Sequence, residues 1–138
     1  MDSLTELDCT LQLVVAPGRT IPVSARLSYC SNDPFAVHVA FHTHAQAPVR
    51  WAFARDLLAQ GMTRPSGQGD VRIWPGRAEE PGLLCLALSS PGGYVLFTAP
   101  AAVVRPWLMR TYHLVPAGHE QATLDLDREL SQLLGEVA

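Results

Sequence analysis

The twelve residues RPSGQGDVRIWP, 64–75, decide between two folds. Gly67 and Gly69 stand close to Arg64, as glycines do in a phosphate cradle. Such a cradle also needs a helix N-terminus behind it, so that backbone N–H groups face the anion. The chain supplies neither the P-loop lysine nor the third glycine of a dinucleotide fingerprint, whose place is taken by Arg72. Val71 and Ile73 then alternate with Arg72 and Trp74, the period of a strand. The loop therefore reads as the tight end of a β-hairpin. Gly67 and Gly69 supply positive φ there, and Asp70 can bond the N–H groups of the turn.

The sequence upstream agrees. Leu7, Cys9, Leu11, Leu13 and Val15 alternate with polar residues, and after the APGR turn at 16–19 so do Ile21, Val23, Ala25, Leu27 and Tyr29. Pro22 puts the second strand at an edge or at its own start. Ser31-Asn32-Asp33-Pro34 is a turn, Phe35, Val37, Val39 and Phe41 a third apolar stripe, and Val49, Trp51 and Phe53 a fourth. ARDLLAQG, 54–61, predicts a short helix packed on a sheet and stopped by Gly61.

Downstream of the opening loop come the acidic loop GRAEEPG at 76–82 and LLCLALSS at 83–90, apolar on both faces as a covered central strand is. Pro91-Gly92-Gly93 turns into a last strand, Tyr94–Ala99. Two helices close the chain. The first lies within 100–113, with Pro100 in its first turn and Pro106 either kinking it or delaying its start to 105. Asp125 caps the second, and Leu126, Leu130, Leu133, Leu134 and Val137 share one face. The plan is four strands and a short helix, then four strands and helices: a single α+β domain over 1–138 with mainly antiparallel sheets.

Composition excludes several functions. With 48% hydrophobic and 17% charged residues the chain is a globular, soluble one, and its net charge of −3 argues against a dedicated nucleic-acid binder. All ten Lys+Arg residues are arginine, which rules out a Walker lysine, a Schiff-base lysine and a pyridoxal phosphate anchor. The early acids of MDSLTELD and the lack of an 18-residue apolar run predict neither signal peptide nor membrane span. Cys9, Cys30 and Cys85 form no C-x-x-C pair and read as thiols.

His38, His42 and His44 share the parity opposite the Phe35–Phe41 stripe, so zinc is the first chemistry to test. On a strand His38 and His42 are roughly 13 Å apart, too far to share an ion, and no metal or other cofactor is expected. Asp125, Asp127 and Glu129 resemble acid/base carboxylates but sit at a helix start, where capping and the dipole explain them. Ser66 lies outside any nucleophile elbow, so no catalytic residue is assigned. The rival function is binding of single-stranded nucleic acid. It requires exposed aromatics beside a basic groove, whereas Trp51, Phe53 and Trp74 take apolar positions and Arg19, Arg26, Arg50, Arg72 and Arg110 are dispersed. The candidates for a protein-binding surface are Arg128, Gln132 and Glu136 on the last helix, Trp107 on the helix before it, and the GRAEEPG loop.

DPFAVHVAFHT at 33–43, WAFARDLL at 51–58, RPSGQGDVRIWP at 64–75, CLALSSPGG at 85–93, LMRTYHLVPAGHE at 108–120 and DLDRELSQLL at 125–134 resemble the SsgA-like family of sporulation and cell-division proteins of filamentous actinobacteria. The resemblance covers nearly the whole chain. It implies a non-enzymatic cell-division regulator acting in septum formation, helping to recruit or position FtsZ directly or through a membrane-associated septal protein. It also implies a Whirly-like fold with two antiparallel four-stranded sheets, a homotrimer, and a cytoplasmic protein recruited to the septum. Neither nucleic acid nor membrane insertion is expected. His44, Pro106 and Tyr112 depart from the family pattern and leave the paralogue, and hence the division stage, open.

Overall fold

The computed structural model describes residues 3–43, 47–77, 79 and 81–135. β1 (Leu4–Ala16) and β2 (Arg19–Cys30) form a long hairpin, in register from Leu4↔Cys30 to Val14↔Thr20 and irregular beyond Val14. β3 (Ala36–His42) and β4 (Val49–Ala54) extend it, and α1 (Arg55–Gly61) follows directly. β5 (Val71–Pro75), β6 (Leu83–Ser90) and β7 (Gly93–Pro100) form a second antiparallel group, ahead of α2 (Ala101–Leu114) and α3 (Glu120–Leu133).

The α+β class and the antiparallel pairing stand, but the partition into two sheets of four does not describe these residues. They form one seven-stranded sheet, ordered β4-β3-β2-β1-β7-β6-β5. Its halves are joined by only two residue pairs, Gln12↔Thr98 and Leu13↔Phe97. The eighth strand, expected ahead of the opening loop, is reduced to one bridge in which Ser66 and Ile73 exchange hydrogen bonds of 2.8 and 3.0 Å. Pro65 precedes that bridge and the Gly67 turn follows it, so the segment has no room for a longer ladder.

The sheet curls tightly. Phe41 of β3 and Phe97 of β7 stack with ring centroids 4.7 Å apart, although β2 and β1 lie between their strands. In a flat sheet that separation would be about 14 Å. The concave face carries the predicted stripes, Leu11, Leu27, Val39, Phe53, Ile73 and Phe97 among them, and α2 closes it with Val104, Trp107 and Leu108. Each fully buried aliphatic or aromatic side chain of this kind stabilises the fold by about 1.5–3 kcal/mol. In β6, Leu84, Cys85, Ala87 and Leu88 are all buried, as a covered strand requires. Phe35 departs from its stripe. It precedes β3, belongs to the turn, and is half-exposed.

Several local expectations are corrected. Gly61 does not stop α1 through a left-handed residue; the following Met62 is right-handed. Gly61 is required instead because a Cβ there would run into the Ile73 side chain of β5. Of the loop glycines only Gly67 has positive φ, +95°. Asp70 ties the loop down through its main chain, accepting the Ser89 N–H at 2.8 Å. α2 begins at Ala101 with Pro100 as the cap, and runs through Pro106. Pro106 and Ala102, whose carbonyl the proline leaves without a helical partner, both face solvent. α3 begins five residues before its supposed cap, so Asp125 is internal and accepts a hydrogen bond from Gln121.

Candidate partner-binding surfaces

The junction of α1, α2 and α3 is organised by a residue the sequence did not single out. Arg55, the first residue of α1, is 1% exposed. Its guanidinium lies between two rings, 4.7 Å from the centroid of Tyr29 and 4.1 Å from that of Tyr112. Nη1 donates to the carbonyls of Thr111 (3.0 Å) and Val115 (2.8 Å), which close the C-terminal turn of α2. Nη2 faces Glu120 at the start of α3, 3.5 Å away. The cation thus meets the negative end of one helix dipole and an acidic first turn of another. Tyr29 donates its hydroxyl to the Pro34 carbonyl at 2.8 Å, and burial pushes its pKa up to about 12. Burial also raises that of Tyr112. One signal was present: Arg55 continues the inward parity of Val49, Trp51 and Phe53.

Trp107 is part of the core, fully buried, and offers no surface to a partner. Arg128 and Gln132 are exposed; Glu136 and Val137 lie outside the described residues. No residue of α3 is fully buried. Its half-buried residues are Glu120, Thr123, Leu124, Asp127 and Ser131, so this side faces the body. Leu126, Leu130, Leu133 and Leu134 lie about a quarter turn round the helix, at 100° per residue. They are 56, 39, 82 and 72% exposed. Arg128 and Gln132 occupy the opposite flank, so the helix has two separate solvent faces, one apolar and one polar.

The histidines do not converge. His38 bonds Asp33 at 2.8 Å, and His42 lies two positions along the same sheet face, beyond Ala40; His44 lies outside the described residues. Next to them Arg26 grips Asp8 through Nε (2.7 Å) and Nη2 (3.2 Å), which holds the Asp8 carboxyl below its usual range. Among the described residues no three His, Cys, Asp or Glu side chains gather as a metal site would require. All three cysteines are thiols: Cys85 is buried, and Cys9 and Cys30 are half-buried. Burial raises the Cys9 pKa to about 11, with the neighbouring Asp8 charge adding to the effect. Trp51 is half-buried and Phe53 buried, so neither is a stacking platform. Trp51 instead lines an apolar groove of about 570 Å³ at the mouth of the curled sheet, with Leu13, Val49, Tyr94 and Val95.

The family model described as Streptomyces sporulation and cell division protein, SsgA, matches residues 23–120. This chain belongs to that family. Among its relatives, the sporulation-specific cell division protein SsgB of Streptomyces coelicolor is 48% identical over 136 residues, 99% of each chain. An SsgB of Frankia casuarinae is 44% identical, covering 96% of this chain and 92% of its own. Two solved structures superpose closely. One, of SsgB, is described with mutations that correlate to longitudinal cell division during sporulation of Streptomyces coelicolor; its TM-score is 0.84 at 47% identity, over 89% of this chain and 97% of that one. The other is an SsgA-like sporulation-specific cell division protein of Thermobifida fusca, with TM-score 0.84 at 42% identity, over 94% and 95%. The SsgA-like fold is therefore the seven-stranded curled sheet with three helices described above. No helix among its described residues is long and apolar enough to cross a membrane.

Proposed function

We propose that this SsgA-family chain is a non-enzymatic division protein that acts in sporulation septum formation by helping to recruit or position FtsZ. It does so from the cytoplasmic side, directly or through a membrane-associated septal protein, and as a homotrimer. The observation that carries this reading is family membership across nearly the full chain, with relatives named for sporulation-specific cell division. The exposed leucines of α3 support assembly, because Leu133 and Leu134 are costly to leave in water and cheap to bury against a neighbour. On the sheet face His38 pairs with Asp33 and Arg26 with Asp8, so these groups are held by ion pairs and not gathered as a catalytic cluster.

The test measures binding of the purified protein to FtsZ filaments and to a mixed-sequence 30-mer, each at low and near-physiological salt. Filaments should co-sediment or bundle with the protein, if necessary after a septal membrane partner is added. Binding to the oligonucleotide should be weak and erased by salt through counterion competition. Tight, salt-resistant oligonucleotide binding without any filament binding would overturn the proposal in favour of a nucleic-acid-binding function.

A further inference from the structure

Among the described residues strand β4 is an edge of the sheet, paired with β3 alone. Which of its backbone groups are unpaired follows from a single bond. Arg55 donates its N–H to the Phe35 carbonyl at 2.8 Å, in the same register that pairs Ala36 with Ala54. In an antiparallel ladder, residues that exchange hydrogen bonds alternate with residues that do not. Val49, Trp51 and Phe53 therefore turn their N–H and C=O groups toward β3. Arg50, Ala52 and Ala54 turn theirs outward. All three are exposed; the Ala54 carbonyl opens α1 as its cap, whereas no turn or loop main-chain bond involves Arg50 or Ala52 among the described residues.

The two faces beside this edge differ in chemistry. On the inner face Val49 and Trp51 border the apolar groove that continues to Tyr94 and Val95. On the outer face Arg50 stands across Ala40 from Arg26, roughly 10 Å away over two strand spacings. The small Ala40 side chain leaves a hollow of about 240 Å³ between these arginines, bordered also by His38, His42 and, on the Arg26 side, Glu6. Arg26 already pairs with Asp8 and Glu6, and His38 with Asp33, which leaves Arg50 as the cation of this face that a partner's carboxylate can reach. The Arg50 side chain has no hydrogen-bond or ion-pair partner among the described residues.

We propose that the free edge of β4 is a docking site for an extended peptide segment of a partner protein in which apolar and acidic residues alternate. The segment adds as a further strand. Its main chain bonds the outward groups of Arg50 and Ala52. Its apolar side chains enter the groove at Val49 and Trp51, and a carboxylate reaches Arg50 on the other face. Period-2 alternation of the peptide matches the two faces of the sheet, and the main-chain bonds supply affinity without sequence preference. The site is independent of which division protein the chain meets.

The experiment titrates the full-length protein with an octapeptide of alternating valine and glutamate, and with its counterpart carrying lysine for glutamate. Binding is read by intrinsic tryptophan fluorescence, to which Trp51 in the groove contributes, and by backbone amide spectra. The glutamate peptide should bind with a Kd of tens to hundreds of micromolar, shift the Arg50 and Ala52 amides and protect them from hydrogen exchange. The lysine peptide should bind at least tenfold more weakly. Arg50→Glu should reverse that preference. Ala52→Pro, which removes an outward N–H and no bond to β3, should weaken the glutamate peptide about tenfold. Equal affinity for the two peptides, no binding of either, or an unchanged preference in Arg50→Glu overturns the proposal. So do Arg50 and Ala52 amides already protected in the peptide-free protein, since a second copy would then cover the edge. The Arg50→Glu result decides the matter even if Ala52→Pro fails to fold.

Discussion

Arg55 and Glu120 face each other 3.5 Å apart inside the protein, joining the first turn of α1 to the first turn of α3. The contact matters because little else holds α3. Its residues are at best half-buried, and Leu126, Leu133 and Leu134 point to solvent. The same guanidinium closes the end of α2. One cation therefore sets how the helical C-terminal part sits on the sheet.

Arg55→Ala should lower stability by about 3 kcal/mol, since it strands a carboxylate and two helix-end carbonyls in the interior. Arg55→Lys should recover less than half of that, because an ammonium cannot stack between two rings while bonding both carbonyls. Denaturant titration followed by circular dichroism measures both. A loss below 1 kcal/mol in the alanine variant would contradict the structural role.

Alkaline pH should loosen the same junction. The Tyr29 phenol has its pKa raised to about 12 in the folded protein from an ordinary value near 10, mainly by burial. A raised folded pKa means that the unfolded chain releases the proton first. The contribution is complete below pH 10 and is lost as pH climbs from about 10 to about 12. Tyr29→Phe should flatten that part of the stability profile, at a cost of about 1 kcal/mol at pH 7 from the lost bond to Pro34. Melting temperatures at pH 8 to 11.5 for both proteins make the comparison.

Cys9 should be a slow thiol. With its pKa at about 11, little thiolate exists at pH 8, and iodoacetamide should modify it far more slowly than a free model thiol. Labelling followed by mass spectrometry should show the Cys9 rate rising steeply between pH 9 and 11. Replacing Cys9, Cys30 and Cys85 together by alanine should leave the assembly intact, with about 1 kcal/mol lost at the buried Cys85. An assembly that dissociates on addition of reductant would contradict this.

The leucine flank of α3 should matter for association and not for the fold. Leu133→Glu together with Leu134→Glu should change the stability of the single chain by less than about 1 kcal/mol, because these side chains are 82 and 72% exposed in it. Light scattering at micromolar concentration should show the trimer of the parent protein and a smaller species for the variant. Identical masses would remove α3 from the interface, and a parent mass of 15 kDa would remove the trimer itself.

Period-2 alternation determined most of the sheet: β1 to β4, the hairpin at 16–19 and the covered strand β6 were all legible, because side-chain direction in a strand is a local property. The opening loop was read correctly as a turn for the same reason. Helix starts were less legible. The sequence puts Pro100 one residue too deep in α2 and the cap of α3 six residues too late, at Asp125 instead of His119, because no capping side chain begins either helix. What only the tertiary structure decided is whatever depends on strands distant in sequence. The curl brings Phe41 onto Phe97 and leaves β4 as an open edge. It turned Trp107 from a candidate contact into core, and it buried Arg55, whose charge reads as solvent-facing until two tyrosines, two carbonyls and a glutamate are found around it. Alternation fixes which way a side chain points from its own strand. It carries no information about what the folded sheet places opposite, and that is why the core arginine and the free edge had to be found in three dimensions.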